Sequence, residues 1–344
     1  MNRLRVACAS GVRHAGPYLE ILGQDSRVEL VGLGEEPGVP EWMRTDSRRV
    51  AEQARIPWHE DLGEWLDPSR VDLVLICSEP TRHAHLAQQL LERGLSLLVD
   101  KPVATSVAQV DQLLATQARV GARCSVINRT HAPALRRLCR WIDAGYLGLP
   151  VHFDLEFLAD GAHFSTSVER PELVVDRSLS GGGEMMNFLG YCLDAMHYAT
   201  GLEVEEIFAL TGSLFLDSHR RGGVEDAAVV SVQLTHGVNA TITLGRVPFA
   251  PGLGPTATSM RVLGSHGQAV ADDDRPALEH YGPEGLRAES FDGGEEALRA
   301  YLDHVVTTAL AGQDADYGLA EARRTLAAIE AAYRSVTSGV PERP

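Results

Sequence analysis

The stretch VDLVLICSEPTRHAHLAQQLLERGLSLLVDKP, residues 71–102, decides the fold. Val71–Cys77 is a nearly continuous apolar run, the pattern of a strand buried on both faces. Thr81–Arg93 reads as a helix, and Gly94 serves as its C-cap. Leu95–Val99 is a second apolar strand, and the stretch closes on Asp100-Lys101-Pro102. Strand, helix, strand in this spacing is a βαβ unit, with parallel strands and a right-handed crossover.

The same alternation extends to both sides. Leu4–Ala9 and Val28–Leu33 read as strands, with helical signals from Pro17 to Leu22 and over Arg48–Arg55. Val107–Val120 is a helix and Arg123–Ile127 another strand. Residues 1–125 therefore predict an α/β Rossmann domain, a doubly wound parallel sheet. Beyond about residue 150 the pattern changes. Val151–Leu158 alternates apolar and polar, as a strand with one wet face does. Ala159–Ser180 reads as a polar loop, followed by a glycine run and one helix. Glu203–Phe215, Ala227–Leu234, Asn239–Leu244 and Ser259–Leu263 read as antiparallel strands, and Glu295–Ser338 as helical. Asp272–Asp274 reads as a solvated turn. Residues 126–344 are thus expected to form an α+β domain with a large, mostly antiparallel sheet. Its terminal helix is free to pack back on the first domain.

Composition narrows the function classes. The 344 residues carry 31 Lys+Arg against 47 Asp+Glu, a formal charge of −16. So acidic a chain argues against nucleic-acid binding and against docking on anionic lipid. Cys8, Cys77, Cys124, Cys139 and Cys192 have no paired spacing, which points to free thiols in a reducing compartment and to no metal site. With no run of about 18 apolar residues and no secretory signal, the expected compartment is the cytoplasm.

A dinucleotide site needs a tight turn after the first strand, close backbone approach and a helix N-terminus. Here the turn reads Ala9-Ser10-Gly11-Val12-Arg13-His14-Ala15-Gly16, with Ala9 where a first glycine would sit. Glu35 ends the second strand, where an acid grips the adenosine ribose hydroxyls and repels a 2′-phosphate. That favours NAD, while Arg48 and Arg49 leave NADP open. Lys101 stands at the C-terminal end of a parallel strand, where open α/β sheets bind ligands, and can hold a substrate hydroxyl and move its proton. Pro102 fixes the turn and suits a cis peptide. In the helix after Gly181-Gly182-Gly183, Asn187, Tyr191 and Asp194 follow at i, i+4 and i+7, on one face. That face is either a site or simply a solvent face. His197 falls outside it and reads as a packed or surface histidine. His83, at the start of its helix, either approaches the cofactor or caps the helix.

Taken together, these residues resemble the Gfo/Idh/MocA family, and the resemblance covers essentially the whole chain. Ile76–His83, Asp100-Lys101-Pro102, Gly145-Tyr-Leu-Gly148, the glycine run with its helix, Val224-Glu225-Asp226 and Ala331–Ser335 carry it. The resemblance implies hydride transfer on sugars, inositols and related polyols with NAD or NADP, and Lys101 as the catalytic lysine. It places Tyr191, Asn187 and Asp194 beside the substrate. It draws the cofactor site from Ala9, Ser10, Gly11, Arg13, His14, Glu35, Ser78, Glu79, His83, Asp100, Lys101 and Asn128.

The chain also departs from the family pattern. Asp100 replaces a glutamate, Asn187 an aspartate, Tyr191 a histidine, and Thr130 an arginine after the sixth strand. Asn187 transfers no proton but still orients a hydroxyl. The expected function is NAD(P)-dependent oxidation or reduction at a secondary alcohol or ketone, by a homodimer or homotetramer joined through the second domain's sheet. Two rival readings stay open: NAD-assisted elimination or glycoside cleavage, and a catalytically inactive regulatory protein.

Overall fold

The computed structural model describes residues 3–161, 170–252, 254–275, 277–291 and 295–344. The described residues up to 127 and those of 301–323 form one compact unit. The rest, from 128 to 300 and from 324 onward, form the other.

The first unit is built on a parallel sheet of six strands: β1 (Leu4–Ala9), β2 (Val28–Gly34), β3 (Trp58–His59), β4 (Leu73–Ile76), β5 (Leu97–Val99) and β6 (Cys124–Val126). Their order is β3-β2-β1-β4-β5-β6, so the winding reverses between β1 and β4. In such sheets ligands bind outside the carboxyl ends of the strands at that reversal. Every residue of β4 and β5 is buried, which is why both read as unbroken apolar runs. The helix read over Arg48–Arg55 spans Glu41–Ala54, and Arg55 is its left-handed C-cap. Its first turns are mostly polar and bury only Met43, Asp46 and Ser47, so they carry little periodic signal.

The second unit holds an eight-stranded sheet: β7 (Pro150–Asp160), β8 (Val204–Gly212), β9 (Ala227–Leu234), β10 (Asn239–Val247), β11 (Thr256–Gly264), β12 (Gln268–Asp272), β13 (Ala277–Gly282) and β14 (Gly285–Ser290). The order is β14-β13-β12-β11-β7-β10-β9-β8, antiparallel except that β10 runs parallel to β7. Phe153, Leu155, Phe157 and Ala159 turn inward along β7 while Asp154 and Glu156 turn out. The helix Glu184–Thr200 lies against β7, β9 and β10.

The structure refines three sequence expectations. Ala159–Ser180 is not all loop: Ala159 and Asp160 end β7, and Glu172–Val175 and Arg177–Ser180 are single helical turns. The Asp176 side chain caps the second of these, while 162–169 lie outside the described residues. Asp272–Asp274 is a turn only from Asp273 onward, and its three aspartates are half-buried rather than fully solvated. Asp272 ends β12, and Asp274 accepts hydrogen bonds from Thr256 and Thr258. The terminal segment is two helices, Glu295–Leu310 and Leu319–Ser338, with Gly312 in the left-handed region between them. Among the described residues no helix is long and apolar enough to cross a membrane. All five cysteines are free.

Candidate active site

In the first unit the turn after β1 is shaped by two left-handed residues, Ser10 with φ 66° and His14 with φ 44°. His14 is the N-cap of the helix Ala15–Gln24. Three backbone N–H groups fix the turn by hydrogen bonds, two to carbonyls and one to a side chain. The Ser10 N–H donates to Gly34 O at 2.9 Å and the Arg13 N–H to Cys77 O at 3.1 Å. The Gly11 N–H donates to Ser47 Oγ at 2.8 Å. A Cβ on Gly11 would stand 3.1 Å from Leu33 Cδ1 and 3.2 Å from Ser47 Cα, so a side chain there would fit only if these neighbours gave way by a few tenths of an ångström. Gly16 has nothing within 4 Å of such a Cβ. The turn, the helix start behind it and its place at the sheet reversal together fit a dinucleotide pyrophosphate.

Glu35 ends beside this turn, but it carries no exposed surface. Arg82 Nη1 donates to its Oε1 at 2.7 Å, and Ser47 Oγ donates to Oε2 at 3.0 Å. The same guanidinium meets Glu36 at 3.1 Å, Glu79 at 3.0 Å and Ser10 Oγ at 3.3 Å. Glu35 is therefore one of three carboxylates gathered on a single half-buried arginine. Arg48 and Arg49 pair elsewhere, with Glu60 at 2.6 Å and Asp46 at 3.2 Å.

Asp100, also without exposed surface, ties the end of β5 to the turn. It accepts from His14 Nδ1 at 2.7 Å, from Tyr18 Oη at 2.9 Å and from the Lys101 N–H at 2.9 Å. Burial would raise its carboxyl, but His14, Arg13 and His83 hold it below the usual range. Burial in turn lowers the His14 imidazole in spite of Asp100. The Lys101–Pro102 peptide is cis, and Lys101 is half-buried.

His83 neither lines an open surface nor caps its helix. It is fully buried, with Nδ1 2.7 Å from Pro102 O and Nε2 2.8 Å from Ser78 O. It ties the β4 turn to the Lys101–Pro102 turn from beneath. Ala9 and Ser78 are likewise without exposed surface.

In the second unit Tyr191 stacks on Phe157, centroids 5.2 Å apart and planes within 13°. The Arg129 guanidinium lies over both rings, 5.6 Å from the Phe157 centroid and 5.7 Å from that of Tyr191. A cavity opens beside them, lined by Arg129, Tyr191, Asp194, Thr258 and Asp273 among others. Asp194 accepts a hydrogen bond from Thr325 Oγ1.

Asn187 is not among the residues lining that cavity. Its Nδ2 donates to Glu184 Oε2 at 2.9 Å. Glu184 is the centre of a buried network, its Oε1 accepting from Arg246 Nε at 2.6 Å and from His219 at 2.9 Å. Burial opposes its ionisation, yet Arg246 and His219 bring the carboxyl down to about 2. Sequence reading placed Glu184 in the glycine motif without giving it a role.

That motif has a steric cause: a Cβ on Gly183 would lie 2.3 Å from Glu225 O. Glu225 accepts from the Met185 N–H at 3.1 Å and from Tyr333 Oη at 2.7 Å. Asp226 accepts from the backbone of Leu214, Phe215 and Leu216. Asn128, nearly buried, accepts from the Thr130 N–H at 2.8 Å. Of the predicted set, then, Ser10, His14, Glu35, Glu79, Asp100 and Lys101 come together in the first unit. Tyr191 and Asp194 share the second unit's cavity. Sequence reading missed Arg82, Arg129 and Asp273; for Arg129 the signal was an arginine one residue before the expected position.

Two models of one family match the chain. One, described as the oxidoreductase family with an NAD-binding Rossmann fold, matches residues 26–128, and its C-terminal domain matches 135–270. A myo-inositol 2-dehydrogenase of Thermotoga maritima is 24% identical over 276 residues, 76% of this chain and 78% of the relative. An uncharacterized oxidoreductase of Bacillus subtilis, YrbE, is 25% identical over 217 residues, 63% of this chain but only 60% of the relative. In fold, the chain is similar to a crystal structure of an oxidoreductase from Agrobacterium radiobacter in complex with NAD+, L-tartaric acid and magnesium. That match has a TM-score of 0.85 at 16% identity, covering 99% of this chain and 98% of the other. The two family models together span well over half of the sequence, and the chain belongs to the GFO/IDH/MocA family of NAD-binding oxidoreductases.

Proposed function

We propose that this oxidoreductase transfers a hydride, with NAD, at a secondary alcohol or ketone of an inositol or related sugar polyol. The observation that carries the reading is the tie between Lys101 and the dinucleotide turn. Asp100 accepts from the Lys101 N–H and from His14 at once, so the lysine is anchored to the residues that would hold the cofactor. The likeness to a myo-inositol 2-dehydrogenase supports the substrate class.

Ser10, Gly11, Arg13 and His14 would hold the pyrophosphate. Glu35, buried and bonded to Arg82 and Ser47, would act on the ribose end only through the Arg82 cluster it shares with Glu79. When bound, the nicotinamide supplies the hydride acceptor or donor. Lys101 takes the proton of the reacting hydroxyl, as a general base whose backbone is fixed by Asp100. Tyr191, held by stacking on Phe157, is the second proton-transfer group of this reading. Asp194 orients a substrate hydroxyl, and Asn187 acts from behind, through Glu184.

This reading has NAD(H) bind more tightly than NADP(H), because three carboxylates share one arginine at the ribose end. It takes the protein to work in the cytoplasm as a homodimer or homotetramer. The outward face of the second sheet, with Leu210 61% and Val229 53% exposed, offers that surface to a second copy. The test is to titrate NADH and NADPH by fluorescence, then follow reduction of NAD+ with myo-inositol and other polyols. NADH binding with turnover of a polyol is expected. Binding with no turnover across the panel contradicts the proposed reaction. Light scattering is expected to show a dimer or tetramer at micromolar concentration, and a monomer contradicts the assembly.

A further inference from the structure

The cavity of the second unit contains two charged groups that have not found each other. Arg129 lies over Phe157 and Tyr191, and among the described residues its guanidinium makes no hydrogen bond or ion pair. Asp273 faces the same cavity and accepts no hydrogen bond from the described residues. An arginine and a carboxylate in one half-buried pocket ordinarily close into a bidentate pair. Here the two aromatic faces hold the guanidinium back by cation–π attraction. Asp273, just past β12, is fixed by its backbone N–H donating to Thr258 O at 3.1 Å. What remains is a gap with five N–H donors on one side and an acceptor on the other.

The chemistry of the gap selects its occupant. A carboxylate would satisfy Arg129 but face Asp273 and Asp194. An ammonium would satisfy Asp273 but face Arg129. A hydroxyl both accepts and donates, so two neighbouring hydroxyls satisfy both sides without adding charge. We infer that Arg129 and Asp273 clamp a vicinal pair of hydroxyls on the substrate, Arg129 donating to one and Asp273 accepting from the other. The inference rests on the polyol reading above and assigns the residues that set specificity within it. The electrostatics agree: burial raises the Asp273 carboxyl, Asp274 and Asp272 add to that, and Arg129 opposes it. The carboxylate is short of donors until a ligand supplies one.

The experiment uses the full chain loaded with NADH. Calorimetry measures binding of myo-inositol, of inositols lacking one hydroxyl, of an aldonic acid and of an amino-substituted inositol. These are compared in the wild type, Asp273→Asn and Arg129→Gln. The expected result is a neutral polyol preferred over both charged analogues. Asp273→Asn should weaken the polyol about 10- to 100-fold, the range of a lost hydrogen bond to a charged group. The same substitution should leave unchanged the affinity for the deoxy analogue that lacks the clamped hydroxyl. The NADH dissociation constant and the melting temperature should stay within error.

Equal losses on the polyol and on every deoxy analogue, or no loss at all, would overturn the clamp while leaving the dehydrogenase reading intact. Tighter binding of the acid or the amine overturns it as well. Polyol binding that shows the clamp without turnover sinks the proposed reaction and keeps the clamp. No polyol binding at all sinks both.

Discussion

The two units of this chain handle their charges in opposite ways. In the first unit Arg82 is shared by Glu35, Glu36 and Glu79, and Asp100 is saturated by His14, Tyr18 and the Lys101 N–H. In the second unit's cavity Arg129 and Asp273 stand apart without hydrogen-bond partners among the described residues. Behind that cavity, Glu184 and Arg246 are as fully paired as anything in the first unit. Paired charges fix a frame; unpaired ones in a cavity wait for a ligand. A site that must bind one cofactor every time can be internally complete, with the backbone turn reading the phosphates. A site that must choose among similar polyols needs groups left unsatisfied until the right one arrives.

This contrast predicts how substitutions divide. The largest effect on stability is expected at Glu184. Removing it leaves the buried guanidinium of Arg246 uncompensated, which typically costs about 3–5 kcal/mol. Glu184→Ala should therefore lower the denaturation midpoint steeply or prevent folding. A midpoint unchanged from wild type would show that the network is not as closed as its 2.6 Å contact implies.

Glu35→Gln should act less strongly, because Glu36 and Glu79 still hold Arg82. A loss of about 1–3 kcal/mol is expected, the scale of a hydrogen bond to a charged group. Fluorescence titration should show the preference for NADH over NADPH narrowed but not reversed. Reversal would mean that Glu35 alone discriminates. Asp273→Asn should be smallest, within about 0.5 kcal/mol of wild type or slightly stabilising, since it removes a charge with no partner. A large destabilisation there would break the contrast at its centre.

Acid should sharpen it from the other side. The His14 and His83 imidazoles are lowered by burial, so the folded state holds fewer protons than the unfolded chain. Their contribution is fully present above the unfolded histidine value, about 6.5, and is lost as pH falls below it. The midpoint should decline on acidification through that window, and His14→Gln should flatten part of the decline. A midpoint flat from pH 7 to 5 would mean that these rings titrate alike in the folded and the unfolded chain.

How much of this was readable in the sequence follows from burial. β4 and β5 announce themselves because both faces are covered and nearly every residue is apolar. β12, β13 and β14 escaped, being short, partly exposed and polar at one end of the sheet. Asp100-Lys101-Pro102 was legible because its position at a strand end is local. Arg82 was not, because its meaning lies in carboxylates 3, 46 and 47 residues away. Asp273 reads as part of a solvated acidic turn; it does stand in the turn after β12, and only the folded chain shows that it lines a cavity. Asn187, Tyr191 and Asp194 were correctly seen as one helix. Spacing alone could not tell that Asn187 answers to Glu184 while the other two line the cavity.

The central claim is that Lys101 moves the substrate proton while the turn it is tied to holds the cofactor. Lys101→Ala tests this most directly, with steady-state turnover of a polyol and the NADH dissociation constant measured on the same preparation. Turnover should fall on the order of 10²–10⁴-fold, the range of a proton-transfer group, with NADH affinity nearly unchanged. Turnover close to wild type would contradict the account.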